Sequence, residues 1–444
     1  MIFGTSGIRG EFGTDVTAET ALDAGRAVAS EGASRVVVGR DVRTTGKLLA
    51  DAVSSGLLEC GADVISLGVV PTPTVARAVG WYDADAGIAV TASHNPPADN
   101  GLKFWTEEGQ AVVGERQDAL AARIERGEYD IRPWDEVGSV STVGNATARH
   151  VDAIADGGDN LDLDVVLDVG NGTGELTADA LRRTGCDVRT LDADPDGAFP
   201  VRPSEPTAEN CSRLSAIVAE SDADMGVAHD GDADRMMAVT ESGEFVTGDV
   251  LLAAFALEAA EPGDEVAVPI DTSIAVTKTL ETIGATTTYT RVGDGHVADR
   301  TTDEAVVFGG EPSGAWIWPT ESRCPDGPLA AVRLATLVAR YGSLDEIVDD
   351  IPTVPIRRGS VETEARESVV ERVRGCVGNR YGNTTALDGV RVDTDDGWFL
   401  VRASGTQPLV RVTAEAETEE RVDLLFQTAR RLVDQATADI EMKA

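Results

Sequence analysis

Arg35-Val36-Val37-Val38-Gly39-Arg40-Asp41 reads as an apolar strand that ends in a polar loop. The pattern recurs at Asp164-Val165-Val166-Leu167-Asp168-Val169-Gly170 and again at Glu265-Val266-Ala267-Val268-Pro269-Ile270-Asp271. After each comes a helix-like stretch that stops at a glycine, at Gly61, Gly185 and Gly284, where glycine supplies a left-handed cap. A second strand then starts at Ala62, Cys186 and Ala285. The third strands read Ala86-Gly87-Ile88-Ala89-Val90, Asp224-Met225-Gly226-Val227-Ala228 and Ala305-Val306-Val307-Phe308. Each runs into an unusual polar loop: Thr91-Ala92-Ser93-His94-Asn95-Pro96, His229-Asp230-Gly231-Asp232-Ala233-Asp234-Arg235, and Gly309-Gly310-Glu311-Pro312-Ser313-Gly314. Strands alternating with helices imply α/β units. Ligands in such sheets sit beyond the carboxyl ends of the strands, so three equivalent loops are expected to face one cleft.

The tail differs. After a polar stretch at 357–367, three short strands follow at 389–393, 397–402 and 409–413, and a Leu/Val-rich helix closes the chain at about 419–436. This reads as a separate, smaller α+β domain with an antiparallel sheet. Its last two strands are joined by Ala403-Ser404-Gly405-Thr406-Gln407-Pro408. At 444 residues the chain suits several domains, and we place them at 1–147, 148–248, 249–354 and 355–444.

Composition narrows the partners. Asp and Glu total 77 against 38 basic residues, a formal net charge of −39. Such a surface repels nucleic acid and anionic membranes. The few lysines are Lys47, Lys103, Lys278 and Lys443. An acidic, lysine-poor surface suits a salt-rich cytoplasm, where screening shortens to about 3 Å at 1 M, and we read the source as halophilic. No apolar run is long enough for a membrane span, and the first ten residues have no signal-peptide character. Cysteines 60, 186, 211, 324 and 376 are scattered and odd in number, which points to reduced thiols and a cytoplasmic location. Nothing in the sequence speaks to oligomeric state.

Each loop has a functional and a structural reading. Asn95-Pro96 starts turns, yet Ser93 before it has Lys103 ten residues on, and a cation and a proton acceptor help a hydroxyl carry phosphate. Asp230, Asp232 and Asp234 are weak as spacing alone in so acidic a chain. The small residues between them let the carboxylates converge on a hard cation such as Mg²⁺, with Arg235 in compensation. Glu311 and Ser313 project the same way from an extended loop and suit vicinal sugar hydroxyls, although a plain glycine turn is the simpler reading. Arg402, Ser404, Gly405 and Thr406, with Arg411 on the next strand, suit a phosphate cradle.

In this order the four loops, with the opening Phe3-Gly4-Thr5-Ser6-Gly7-Ile8-Arg9-Gly10, resemble the α-D-phosphohexomutase family over nearly the whole chain. The resemblance implies three related α/β domains with mixed sheets and a smaller fourth domain around a central cleft. It implies that Ser93 carries a phosphoryl group and that Asp230, Asp232 and Asp234 hold one Mg²⁺ against a serine-bound oxygen. Glu311 and Ser313 would read the sugar, and Arg402, Ser404, Gly405 and Thr406 would hold the non-reacting phosphate. Arg9, Lys103 and Arg235 would line the reacting end, with Lys103 a proton carrier. The reaction implied interconverts hexose 6- and 1-phosphates through a hexose 1,6-bisphosphate, which also serves as activator.

The compact length and the opening resemble phosphoglucosamine mutases first, with phosphoglucomutases and phosphomannomutases as alternatives. Many bacterial relatives continue the sugar loop Ser-Gly-His, whereas Ser313-Gly314 here precedes Ala315. That leaves the general acid/base open, and neither His94 nor His296 is assigned to it. A distant rival lies in Val169-Gly170-Asn171-Gly172-Thr173-Gly174, which is similar to the nucleotide-binding turn of S-adenosylmethionine-dependent methyltransferases, with Asp192 near the expected ribose position.

Overall fold

A computed structural model describes residues 3–4, 7–155, 160–378, 381–405 and 408–441. Four sheets organise them. In the first, Arg35–Arg40 lies between Asp63–Val69 and Ala86–Val90, all parallel, and Asp99–Trp105 returns antiparallel beside Ala86–Val90. The second sheet repeats this order with Asp164–Asp168, Asp187–Leu191, Met225–His229 and Met236–Thr240. The third repeats it with Glu265–Pro269, Thr286–Thr290, Val306–Glu311 and Ala315–Ile317. The threefold repeat therefore extends to a fourth, antiparallel strand that alternation does not announce. Met236–Thr240 is buried at every position, so both its faces are apolar.

That returning strand places the chemistry. In each unit the third and fourth strands form a hairpin, and its connection carries the polar loop. The central strands are sandwiched by helices and read as continuous apolar runs for that reason. The core of the second and third units is continuous: Leu252 and Phe255, from the helix Gly248–Ala259, apolar apart from Asp249 and Glu258, share one cluster with Leu167, Leu334 and Val338. The first unit and the tail keep cores of their own.

The C-terminal sheet is antiparallel and five-stranded, in the order Ile356–Glu362, Leu409–Ala416, Gly397–Ala403, Val390–Thr394 and Thr384–Thr385. The polar stretch at 357–367, to which the sequence assigns no element, begins with an edge strand and continues into the helix Arg366–Gly378. Ile356–Glu362 pairs on one side only and has no fully buried residue, so polar residues cost it little and leave no apolar signature. The last helix runs Glu419–Glu441, beyond the expected 436. Among the described residues no helix is long and apolar enough to cross a membrane.

Candidate active site

Ser93 sits just past the strand Ala86–Val90, almost fully buried, with φ at +51°. Its Oγ donates to Asp230 Oδ2 at 2.6 Å and lies 3.3 Å from His94 Nδ1. Asp230 belongs to the second unit, so the hydroxyl bridges two hairpin loops. Gly231 makes the approach possible, because a Cβ there would lie 2.8 Å from Ser204 Oγ and 3.0 Å from the Ser93 carbonyl oxygen, too close for any side chain.

Asp230, Asp232 and Asp234 converge, each offering a ligand atom within 4.8 Å of the others, and all three are buried. Thr72 Oγ1 donates to Asp232 Oδ2 at 2.6 Å, and Lys103 Nζ approaches the same oxygen at 3.1 Å. Lys103 also pairs with Asp234 Oδ2. Asp232 Oδ1 and Asp234 Oδ1 are buried without a hydrogen-bond partner. Unpaired carboxylate oxygens at this depth are costly, and a divalent cation with a preference for hard oxygen ligands is what such a donor set fits.

The electrostatics follow. Burial, then the charges of Asp232 and Asp234, push the Asp230 carboxyl well above its usual range. Burial and Asp232 also raise Asp234. For Asp232 burial is overcome by Lys103 and by the Thr72 hydroxyl, which hold it ionised. Burial alone would lower Lys103, yet Asp232 and Asp234 outweigh it and raise the ammonium above its usual value. Arg235, then burial, Arg9 and Lys103 keep His94 neutral, far below the ordinary imidazole range. Arg9 Nε is buried without a partner, and Arg235 is 3.5 Å from Glu205.

Glu311 is the last residue of the strand Val306–Glu311 and not part of an irregular loop. Gly293 N–H donates to its Oε1 at 2.7 Å, and Ser313 Oγ donates to its Oε2 at 3.2 Å. Burial, then Asp294, push its carboxyl up to about 7. Asp271 adds to the rise, while Gly293 N–H and Arg235 oppose it. As pH falls through 7 the carboxylate takes a proton and loses acceptor strength. The expected result is a kcat/KM that declines below pH 7. Glu311→Gln should remove that limb and lower the plateau, and a pH–rate series on both proteins checks it.

Arg402 and Arg411 face each other across the pairing of Gly397–Ala403 with Leu409–Ala416. Burial and then Arg402 lower the Arg411 guanidinium, a like-charge pressure that an anion relieves. Arg402 is 3.6 Å from Asp271 and 4.0 Å from Asp388. Ser404 is buried and Gly405 exposed. Thr406, like Thr5 and Ser6, lies outside the described residues. Glu205, which pairs with Arg235, is within electrostatic reach of Arg411, which links the carboxylate loop to the tail strands.

The glycine turn at 170–174 supports the carboxylate loop. Thr173 N–H donates to the Gly231 carbonyl at 3.1 Å, and a Cβ on Gly172 would lie 2.7 Å from that oxygen. Asp192 pairs with Arg213 at 2.7 Å. The next loop's backbone packs directly on the turn, where a methyltransferase would need room for S-adenosylmethionine.

Comparison with known proteins gives one answer along the chain. The descriptions "Phosphoglucomutase/phosphomannomutase, alpha/beta/alpha domain" I, II and III match residues 1–130, 143–243 and 247–354, and the C-terminal domain of the same family matches 360–432. A probable phosphoglucosamine mutase of Methanopyrus kandleri is 43% identical over 447 residues, with 98% of each chain covered. One from Methanococcoides burtonii is 41% identical, covering 98% of this chain and 99% of that one. A crystal structure of a phosphoglucomutase/phosphomannomutase family protein from Burkholderia thailandensis superposes with a TM-score of 0.87 at 28% identity, over 98% of this chain and 97% of that one.

Proposed function

The chain belongs to the phosphoglucomutase/phosphomannomutase family and is a phosphohexomutase, and from that premise we propose that it isomerises glucosamine phosphates with Ser93 as phosphoryl carrier. The observation that carries the reading is the buried Ser93 hydroxyl 2.6 Å from Asp230, within a converging carboxylate triplet. Phosphorylated Ser93 gives its phosphoryl group to the free C1 or C6 hydroxyl. The bond from phosphorus to Oγ breaks and the bond to the sugar oxygen forms, while the proton lost by the sugar hydroxyl is matched by the one taken up on the freed Ser93 Oγ. The hexose 1,6-bisphosphate turns end for end and returns its other phosphate to Ser93. The same bisphosphate serves as activator by phosphorylating resting enzyme.

Asp230, Asp232 and Asp234, with an oxygen on Ser93, would hold the one Mg²⁺, which supplies neutralisation of phosphoryl charge when bound. The chain's own part is positioning. Arg9, Lys103 and Arg235 surround the reacting phosphate with fixed positive charge. Arg402, Ser404, Gly405, Thr406 and Arg411 hold the distal phosphate, and Glu311 and Ser313 orient the sugar between them. Keeping the two phosphate sites separate is what allows either orientation. A buried Ser93 also keeps water from the phosphoserine.

Two considerations support an amino sugar over glucose or mannose phosphate. The archaeal relatives are named phosphoglucosamine mutases, and the sugar-facing Glu311 has Asp294 and Asp271 as charged neighbours. A C2 ammonium relieves that excess of negative charge, and a C2 hydroxyl does not. Asp294→Asn is therefore expected to lower kcat/KM for glucosamine 6-phosphate about tenfold or more, with little change for glucose 6-phosphate. Mg²⁺-dependent turnover of glucosamine-, glucose- and mannose-6-phosphate, each primed with its bisphosphate, tests the ranking, and equal rates on all three refute it. Division close to 147/148, 248/249 and 354/355, with the helices Ala146–Ile154 and Gly248–Ala259 opening the second and third units, and a reducing, salt-rich cytoplasm complete the proposal, the latter supported by five free cysteines and the acid-rich composition.

A further inference from the structure

Asp41 and Arg43, just past the strand Arg35–Arg40, are both buried with 1% exposure. Arg43 Nε donates to Asp41 Oδ2 at 3.1 Å. Its remaining donors go to backbone carbonyls of the serine loop. Nη2 reaches Ser93 at 2.9 Å and Asn95 at 2.6 Å, and Nη1 reaches Pro96 at 2.6 Å and Asp99 at 2.9 Å. All five guanidinium N–H groups are thus engaged within the protein, leaving none for substrate. The Phe199 ring covers the guanidinium at 5.2 Å.

Asp41 secures the other side of the same residue. Its Oδ2 lies 2.7 Å from Thr91 Oγ1, and Thr91 Oγ1 accepts the Ser93 N–H at 2.9 Å. The Asp41–Arg43 pair therefore fixes both backbone groups of Ser93. That residue holds a left-handed φ without being glycine, a conformation that persists only where its surroundings impose it.

The second unit repeats the device at the matching strand end. Arg202 Nε donates to Asp168 Oδ2 at 2.8 Å, and its Nη2 donates to the carbonyl of His229, directly before Asp230, at 2.7 Å. Its Nη1 reaches the Ser204 carbonyl at 3.2 Å. Ser204 Oγ then donates to the Ser93 carbonyl at 3.0 Å and accepts Gly231 N–H at 2.8 Å. Two buried arginines, each paired with an aspartate at the end of an equivalent strand, thus hold the serine and carboxylate loops, and one hydroxyl ties the loops together.

We propose that Arg43, with Arg202 as its counterpart, is a positioning residue that aims the Ser93 hydroxyl at Asp230 through backbone carbonyls. The inference rests on the reading of Ser93 as the phosphoryl carrier. Phosphoryl transfer depends on alignment, and a displacement near 1 Å costs about 100-fold in rate. Arg43→Lys keeps the charge but cannot span four carbonyls and a carboxylate. Its kcat is expected to fall about 100-fold, with KM within threefold of wild type. Phosphorylation of Ser93 by bisphosphate, followed by intact mass, should slow by the same factor. A folded Arg43→Lys protein with wild-type kcat and phosphorylation rate overturns the proposal, as does a loss confined to KM. Should that variant fail to fold, Ser204→Ala decides: a kcat lowered about tenfold at unchanged KM supports the proposal, and wild-type kinetics overturn it. Wild-type enzyme that never acquires phosphate on Ser93 brings down the carrier reading itself, an outcome distinct from either variant result.

Discussion

Ser93→Ala is expected to lower kcat by at least ~10⁴-fold, the scale seen when a covalent nucleophile is removed, while sugar phosphate still binds within a few-fold of wild type. The asymmetry follows from where the hydroxyl points. Its hydrogen goes to Asp230, and the binding groups assigned to the sugar and the distal phosphate stand on other elements, on Val306–Glu311 and on the two tail strands. Alanine preserves the backbone contacts to Arg43, Thr91 and Ser204, all of which use the main chain of residue 93. The variant should therefore fold and bind without turning over. Steady-state assays, calorimetry with sugar phosphate and intact mass after bisphosphate treatment check it together. Turnover within tenfold of wild type, or a phosphate adduct that survives the substitution, would contradict a covalent role for this hydroxyl.

Much of this arrangement is legible in the sequence because hairpin loops carry it. The strands before Ser93, Asp230 and Glu311 are short apolar runs that end abruptly in polar residues, and recurrence in three units makes the pattern readable. The fourth strand of each unit is hidden, since Met236–Thr240 and Ala315–Ile317 are buried on both faces and show no alternation. Arg43 and Arg202 escape notice for a different reason. Their partners are carbonyl oxygens, which every residue possesses, and those of Arg43 lie fifty or more residues away along the chain. Asp41 and Asp168 do leave a trace, a carboxylate at the end of the first strand in each of two units. Lys103 is visible as a rare lysine, but its role depends on Asp232 and Asp234, which only the packing of Asp99–Trp105 against the second unit brings to it.

Asp326→Ala is expected to destabilise the protein by about 3–5 kcal/mol, the range for breaking a buried ion pair by removing one partner. Asp326 is fully buried where the first three units meet. Its Oδ2 accepts from Arg77 Nε at 2.7 Å, on the helix Thr72–Trp81, and lies 3.0 Å from His150 Nε2, on the helix Ala146–Ile154. Its Oδ1 accepts the Leu329 N–H at 3.1 Å and so caps the helix Gly327–Tyr341. Alanine strands a buried guanidinium and removes the cap in one step. The pH dependence has a definite sign. Burial pushes the Asp326 carboxyl up, but His150 and Arg77 outweigh burial and hold it below the usual carboxylate range. A group depressed on folding contributes stability above its unfolded pKa of about 4, and that contribution is lost as pH falls through the lower folded value. The gap between wild type and variant in urea midpoint should thus be full at pH 7 and narrow below pH 4. The defect also reaches the chemistry, because Thr72, which donates to Asp232 at 2.6 Å, begins the helix that Arg77 anchors. An equal urea midpoint for the two proteins at pH 7 would mean that apolar packing alone joins the units, and that the carboxylate site owes nothing to this contact.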